Sequence, residues 1–179
     1  MNILLIILLI IVAIIALLFI VALFSKKQYA VERTVVIQRP KHEVFNYITR
    51  LKNQDNYSKW VMMDPLMKKT YRGEDGSKGF VYAWNGNNKA GAGEQEIKKL
   101  EEGRRMETEV RFVRPFKGTA FNYFETHDVK ENSTRLSWGF SSRLRYPANI
   151  FLLLTSIERT LGKDIEQSLQ KLKSILEHH

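Results

Sequence analysis

Apolar residues recur every three or four positions along the last long segment of the chain, from Pro147 to about Ile175. The recurring positions are Ile150, Leu153, Leu154, Ile157, Leu161, Ile165, Leu169, Leu172 and Ile175. This spacing places one apolar stripe along an α-helix, while charged residues occupy the opposite face. Another short helix would leave much of such a long stripe in water. The pattern therefore predicts a long helix that packs against a broad apolar surface.

The middle of the chain alternates between apolar and polar residues, and turn sequences interrupt it at short intervals. This pattern is typical of antiparallel strands. We predict seven strands, at residues 29–38, 68–72, 79–84, 93–100, 104–114, 119–129 and 134–144. Two helical segments, residues 41–51 and 53–58, follow the first strand, and the other six strands are consecutive. The predicted fold class is α+β, with a curved antiparallel sheet of about seven strands around the C-terminal helix.

The first segment of the chain has no such alternation, because residues 3–24 contain no charged or strongly polar side chain. As a helix they would measure about 33 Å, which is enough to cross a hydrocarbon core of about 30 Å. A cleaved signal peptide is the alternative. Against it, no Lys or Arg precedes the apolar run, the run exceeds the usual ~7–15 residues, and no small-residue cleavage site ends it. We predict a retained single-pass transmembrane anchor.

The domain boundaries follow from this reading. We predict an anchor at residues 1–25, a linker at 26–29 and a folded domain at 30–175. Residues 176–179 resemble the start of a histidine tag and are interpreted as an expression-tag remnant. Lys and Arg directly after the apolar run place the domain in the cytoplasm by the positive-inside rule.

Charge and cysteine content limit the possible partners. The formal net charge is +9, and all 28 Lys and Arg residues lie after residue 25. This balance favours anionic partners, although it also suits a surface that is only solvated. Arg111, Arg114, Lys117, Arg143 and Arg145 are a candidate basic patch, for which lipid headgroups are the expected partner. Basic and acidic residues mix along most strands, so no nucleic-acid binding is predicted. The absence of cysteine excludes disulfides and zinc thiolate sites.

Several stretches resemble the START-like helix-grip (SRPBCC) superfamily. They are IQRPKHEVFNYI at 37–48, YSKW at 57–60, GAGEQEI at 91–97, STRLSW at 133–138 and LGKDIEQSLQKLK at 161–173. The superfamily includes Bet v 1-like allergens, lipid-transfer START domains and bacterial proteins of the polyketide cyclase/dehydrase type. The resemblance covers about residues 30–175 and implies a helix-grip fold with a ligand cavity between the concave sheet face and the last helix. The N-terminal anchor departs from most of the superfamily.

The alternation and the resemblance together predict a small-molecule pocket with apolar walls and few polar groups. Its predicted lining is Trp60, Phe80, Tyr82, Trp84, Gln95, Ile97, Met106, Thr108, Val110, Phe112, Phe124, Trp138, Phe140, Ile150, Leu154 and Ile157. A solid core without a void is the alternative, because aromatic stripes on one sheet face usually serve packing.

Candidate catalytic residues are few. His42 and His127 are the only histidines outside the predicted tag remnant, and both are expected on exposed faces. His127 lies two residues from Glu125 on one strand face, but acid–base catalysis would need them in a site that excludes water. No metal-ligand spacing or phosphate-binding glycine loop is present, so no catalytic residue, metal or cofactor is predicted.

The sequence therefore predicts a membrane-anchored domain that binds a hydrophobic or amphipathic small molecule, such as a lipid, without changing it chemically. One alternative is an enzyme of cyclase or hydrolase type that uses the same cavity. Another is a protein-interaction module close to the membrane, whose partner the sequence does not identify.

Overall fold

Seven strands form one antiparallel sheet in this computed structural model, which describes residues 2–178. They are β1 (Gln28–Ile37), β2 (Lys68–Arg72), β3 (Val81–Asn85), β4 (Ala92–Glu101), β5 (Arg105–Arg114), β6 (Gly118–Lys130) and β7 (Ser133–Arg143). Their order across the sheet is β1-β7-β6-β5-β4-β3-β2. Strands β2 to β7 are thus a meander, and β1 pairs with β7 at one edge. The predicted fold class is confirmed.

Six α-helices accompany the sheet within the described range. They are α1 (Ile3–Phe24), α2 (Lys41–Thr49), α3 (Gln54–Tyr57), α4 (Lys59–Met62), α5 (Phe151–Leu154) and α6 (Ile157–Glu177), and short 3₁₀ turns at Leu51–Asn53 and Ala148–Ile150 precede α3 and α5. Met1 and His179, which fall in the predicted anchor and the predicted tag remnant, lie outside the described residues.

Irregular pairing bends the sheet. The register shifts twice between β4 and β5, at Ala92/Gly93 and at Ile97/Lys99, and such bulges increase local twist. Gly93 also permits a close approach, because a Cβ there would lie 2.8 Å from the Trp84 ring. The Trp84 ring can therefore pack closely over Gly93 of the neighbouring strand.

The last helix, α6, packs along the edge strand β1. Its buried apolar side chains, Ile165, Leu169 and Leu172, join the core with residues of β1, β6 and β7. Lys173 Nζ donates a hydrogen bond to the Val36 carbonyl oxygen at 2.5 Å, and the Gln38 backbone N–H donates to Glu177 Oε1 at 2.6 Å. These bonds satisfy backbone groups that an edge strand otherwise exposes. Glu177, in the predicted tag remnant, thus contacts the domain, and the assignment of residues 176–179 to a tag stays a prediction.

The helix expected from Pro147 onward is interrupted, which corrects that boundary. After α5 the backbone is extended at Thr155 (φ −129°, ψ 150°), and α6 begins only at Ile157. The Thr155 hydroxyl donates to the Phe151 carbonyl oxygen at 2.6 Å. Thr and Ser side chains compete in this way for backbone groups at helix ends, which explains a break at Thr155 and Ser156 that apolar periodicity does not reveal.

Helix α1 is long and apolar enough to cross a membrane, and its most apolar stretch is not buried by the rest of the chain. Near its C-terminal end the side chain of Asn149 donates a hydrogen bond to the Ala22 carbonyl oxygen at 2.6 Å. The domain therefore contacts the last turns of α1 and leaves the remainder free.

Candidate functional site

An aromatic cluster occupies the inner face of the sheet. The centre of the Trp138 ring on β7 lies 4.6 Å from that of Phe124 on β6, 5.7 Å from that of Trp60 and 6.3 Å from that of Tyr57. The contacts with Trp60 and Tyr57 are edge-to-face, a geometry that aromatic rings favour. Phe124 faces inward, as predicted from the pattern of β6. Much of the interior is therefore filled by packed rings.

The predicted pocket residues differ in burial. Nine are buried: Phe80, Tyr82, Gln95, Ile97, Met106, Thr108, Val110, Phe124 and Trp138. Trp60, Trp84, Phe112, Phe140, Ile150 and Ile157 are partly buried. Leu154 is 61% exposed and lies in α5, outside the interior. The structure brings most of these residues to one face of the sheet, and their role in ligand binding stays a prediction.

Most polar groups of the interior have partners within the chain. Gln95 Nε2 donates to the Thr108 hydroxyl at 2.9 Å, on neighbouring strands. The Tyr82 hydroxyl donates to Asp55 Oδ1 at 2.7 Å, and Asp55 also pairs with Lys69 at 2.7 Å. Burial, followed by the hydrogen bond to Asp55, raises the pKa of Tyr82. Tyr82 is therefore a neutral donor fixed by Asp55, a residue that the sequence did not single out.

Two buried polar atoms in the aromatic cluster have no such partner. The Tyr57 hydroxyl and the Trp138 indole Nε1 make no hydrogen bond with any described residue. Burial raises the pKa of Tyr57, so its hydroxyl stays protonated. Buried donors are nearly always satisfied in folded proteins, so each of these two is a position for a buried water or for a polar atom of a ligand. Both donors lie within the buried aromatic cluster, and neither residue lines a groove that the structure shows.

A groove of about 300 Å³ opens at one end of the aromatic cluster. It is lined by Tyr29, Phe140, Thr155, Ser156, Ile157, Thr160, Leu161 and Asp164. The Tyr29 and Phe140 rings stack with their centres 6.2 Å apart and form one wall. Phe140 and Leu161 also pack against the core, so the groove reaches the edge of the interior. Its apolar floor and hydroxyl-bearing rim suit an amphipathic molecule.

The break between α5 and α6 creates this groove. Thr155 and Ser156 lie on its rim because the backbone leaves the helical path there. Phe140 and Ile157 were predicted as pocket residues, whereas the polar residues of the rim were missed, since a continuous helix would have turned them to solvent. A Thr-Ser pair between two apolar helical turns was the available signal.

Asp164 provides the groove with a carboxylate, but that carboxylate is already paired. Lys59 Nζ lies 2.5 Å from Asp164 Oδ1, and the pair joins α4 to α6. A second bond also joins these two helices: the Lys59 backbone N–H donates to Ser168 Oγ at 3.1 Å. The charged pair therefore closes one side of the groove and also fixes the position of α6.

The outer face of the sheet carries charged residues that pair with one another. Arg111 contacts Glu94 and Glu96, each at 2.8 Å, and also Glu109. Hydrogen bonds from Arg72 and Arg111 lower the pKa of Glu94. The expected basic patch is therefore weaker than predicted at Arg111, because three carboxylates surround its guanidinium group.

The two candidate histidines lie in water. His127 is exposed, and its Nε2 is 3.5 Å from Glu125 Oε1 on the outer face. His42 is exposed on α2. Neither histidine lines the groove or the aromatic cluster, so the structure does not bring them to the place where a ligand is expected.

Comparison with known proteins places this architecture. Residues 28–177 match the sequence profile of the family described as polyketide cyclase / dehydrase and lipid transport. No curated protein matches the sequence.

Solved structures show the same fold. Truncated norcoclaurine synthase from Thalictrum flavum matches with a TM-score of 0.66 and 6% identity, over 87% of this chain and 97% of that chain. Protein CV1439 from Chromobacterium violaceum matches with a TM-score of 0.58 and 12% identity, over 83% of this chain and 96% of that chain. Ara h 8.0201 matches with a TM-score of 0.55 and 11% identity, over 84% of this chain and 96% of that chain. At these identities the likeness shows the fold alone. The predicted superfamily is confirmed by the family match over residues 28–177.

Proposed function

We propose that this chain, which belongs to the polyketide cyclase / dehydrase and lipid transport family, is a membrane-anchored domain that binds an amphipathic small molecule without changing it. Helix α1 is the anchor, and the groove between β1, β7 and α6 receives the ligand. The observation that carries the proposal is the groove itself, a space of about 300 Å³ that opens where the aromatic cluster ends.

The chemistry of the groove supports a ligand with an apolar chain and a small polar head. Phe140, Ile157 and Leu161 offer apolar surface, while the Thr155, Ser156 and Thr160 hydroxyls can donate or accept hydrogen bonds. The volume lies at the small end of the range for ligand pockets, ~300–1,000 Å³. A single acyl chain fits this space better than a two-chain lipid.

The unpaired donors of the interior extend the same proposal. A ligand that moves the Phe140 ring aside would approach Trp138, two residues away on the same strand face. The Trp138 indole and the Tyr57 hydroxyl would then bind its polar atoms, which recovers the cost of burying them without a partner.

Binding without chemistry suits the groove better than catalysis. An enzyme of the alternative type needs an acid or base free to exchange protons with the substrate. Asp164 is the carboxylate of the groove, and its contact with Lys59 serves the docking of α6. The enzyme alternative therefore requires Asp164 to leave Lys59 when substrate binds.

The experiment uses the full chain in lipid nanodiscs and dansyl-labelled undecanoic acid as the probe. Energy transfer from the three tryptophans to the dansyl group reports binding above the signal of empty nanodiscs. Thr160→Phe fills the groove and should weaken binding by about tenfold or more, because excluding two methylene groups forfeits ~0.8 kcal/mol each.

The matched control is Glu158→Phe, which adds the same ring to the same turn of α6 but outside the groove. Its affinity for the probe should stay within about twofold of the original, because the added ring does not occupy the groove. A twofold change is well below the ~1.4 kcal/mol that corresponds to a tenfold change in affinity. Equal affinities for all three proteins, or no transfer above empty nanodiscs, would show that the groove does not bind this class of ligand.

A further inference from the structure

The most exposed apolar side chains of the folded domain lie in three separate segments. Leu66, before β2, is 90% exposed, and Phe116, in the turn between β5 and β6, is 83% exposed. Leu154, in α5, follows at 61%, and Phe151 and Leu153 of the same short helix are also exposed. Large apolar groups placed together at a surface usually mark a site of contact with another phase or molecule.

The register of the sheet brings these three segments to one end of the domain. Gln28, the first residue of β1, pairs with Arg143, the last residue of β7. The β5–β6 turn lies at the same end, because Phe112 pairs with Gly118. The start of β2 lies there too, because Lys68 pairs with Asn85 at the end of β3. Helix α1 enters at this end through β1. We call the set Leu66, Phe116, Phe151, Leu153 and Leu154 the anchor end.

Helix α5 is held beside the last turns of α1. Asn149, just before α5, is fully buried, and its side chain donates to the Ala22 carbonyl oxygen at 2.6 Å. The ring of Tyr146 lies edge-to-face against that of Phe19, with their centres 6.1 Å apart. Phe151, Leu153 and Leu154 are therefore close to the level at which a spanning α1 leaves the hydrocarbon.

Basic residues accompany the apolar ones. Lys26, Lys27 and Arg143 line a cleft of about 520 Å³ where α1 meets β1. Lys117 follows Phe116 directly and is exposed. Apolar side chains next to a group of Lys and Arg have the composition of interfacial membrane-binding segments, in which the basic groups contact anionic headgroups.

We propose that the anchor end is a second membrane contact, which inserts into the interface of the bilayer that α1 crosses. The inference rests on the proposed anchoring and adds a fixed orientation of the domain. The rim of the groove, Thr155 and Ser156, directly follows α5. An amphipathic ligand therefore reaches the groove from the bilayer surface without crossing bulk water.

The test uses single cysteines in the full chain, which has none of its own. Phe116→Cys and Leu154→Cys carry an environment-sensitive nitrobenzoxadiazole label at the anchor end. Glu131→Cys, in the exposed turn between β6 and β7 at the opposite end, is the matched control, and Val12→Cys reports on α1. The proteins are placed in nanodiscs of phosphatidylcholine and phosphatidylglycerol, with or without spin-labelled acyl chains that quench the label.

Labels at positions 116 and 154 should be quenched about twofold or more relative to position 131, because interfacial side chains bury ~5–10 Å into the headgroup and acyl boundary. If the label at position 12 is quenched but those at 116 and 154 are quenched no more than the control at 131, the second contact is overturned and the anchor stands. Iodide, a quencher dissolved in the water, is the second measurement. If a label at position 116 or 154 is shielded from iodide but is not quenched by the spin-labelled lipid, a protein partner or a second copy covers this surface, and the second membrane contact is also overturned. No quenching at position 12 refutes the proposed anchoring itself.

Discussion

The two faces of the sheet differ in how far their polar side chains are paired with other groups of the chain. On the outer face many charged groups pair with neighbours of opposite sign, as Arg111 does with Glu94, Glu96 and Glu109. On the inner side polar groups are few, and three of their atoms, the Tyr57 hydroxyl, the Trp138 indole nitrogen and Asn122 Oδ1, have no partner among the described residues. The inner face has therefore kept hydrogen-bonding capacity that the outer face has used.

This difference bears on where a ligand can bind. A saturated charge network is stabilised little by a new ionic partner, because the newcomer must displace a partner that is already bound. An unpaired buried donor makes an additional hydrogen bond when a ligand or water supplies the acceptor. Recognition by this domain should accordingly occur on its inner side and its groove, while the outer face contributes stability and solubility.

The largest expected effect comes from removing an inner aromatic ring. Phe124→Ala deletes a buried ring whose centre lies 4.6 Å from that of Trp138, and it should lower the free energy of unfolding by about 3–5 kcal/mol. The reason is the lost burial plus the cavity left in a packed core. Urea unfolding of the full chain in nanodiscs, followed by tryptophan fluorescence, measures the change.

The same strand provides the control. Phe121 lies three residues earlier on β6, points to the outer face and is 54% exposed. Phe121→Ala should change stability by only about 0.5 kcal/mol, as substitutions at exposed positions usually do. Similar losses for both variants would mean that the two faces do not differ in packing.

Alternation along the strands predicted the faces because one side of the sheet is buried and the other is wet. It was reliable on β5, where Met106, Thr108 and Val110 all turned inward. It was ambiguous on β6, where both faces carry aromatic residues and only the packing of Phe124 on Trp138 resolves them. Periodicity reports which side faces the core, and it carries no information on which polar atoms find partners.

The groove was beyond the reach of the same reasoning. The Thr-Ser pair marks the break at Thr155, but the walls of the groove come from distant parts of the chain. Tyr29 and Phe140, which form one wall, lie more than a hundred positions apart, so no local pattern reveals that they meet. The unpaired donors of Tyr57 and Trp138 could not be predicted either. Whether a buried donor has a partner depends on the side chains that the fold brings next to it.

A smaller effect is expected from the outer charge network. Arg111→Gln should lower stability at neutral pH by about 1 kcal/mol, because exposed ion pairs contribute roughly 0.2–1 kcal/mol each and water screens them. Hydrogen bonds from Arg111 and then Lys98 lower the pKa of Glu96, as those from Arg72 and Arg111 do for Glu94. The pH dependence of unfolding by urea tests this explanation.

The sign follows from the lowered carboxylate pKa values. A group whose pKa is lower in the folded state stabilises the fold above its unfolded pKa, about 4.3 for Glu, and loses this contribution as the pH falls through the folded value. The difference between Arg111→Gln and the original chain should therefore shrink below about pH 4.3. Arg72→Gln removes a more exposed partner of Glu94 and should cost less. A difference that persists in acid would point to lost packing instead of charge.

The smallest expected effect on stability is that of removing the Tyr57 hydroxyl, and the Tyr82 hydroxyl provides the comparison. Tyr82→Phe removes a hydrogen bond to Asp55 and should cost about 1 kcal/mol, the usual net value of such a bond. Tyr57→Phe removes a buried hydroxyl without a partner among the described residues, so stability should stay the same or rise slightly. Both changes keep the ring, which makes them a matched pair.

If interior donors hold the head of a ligand, Tyr57→Phe should also weaken binding of dansyl-undecanoic acid while leaving unfolding untouched. A loss of stability at Tyr57 as large as that at Tyr82 would instead show that the Tyr57 hydroxyl has a partner, such as a buried water, and is not free to bind a ligand.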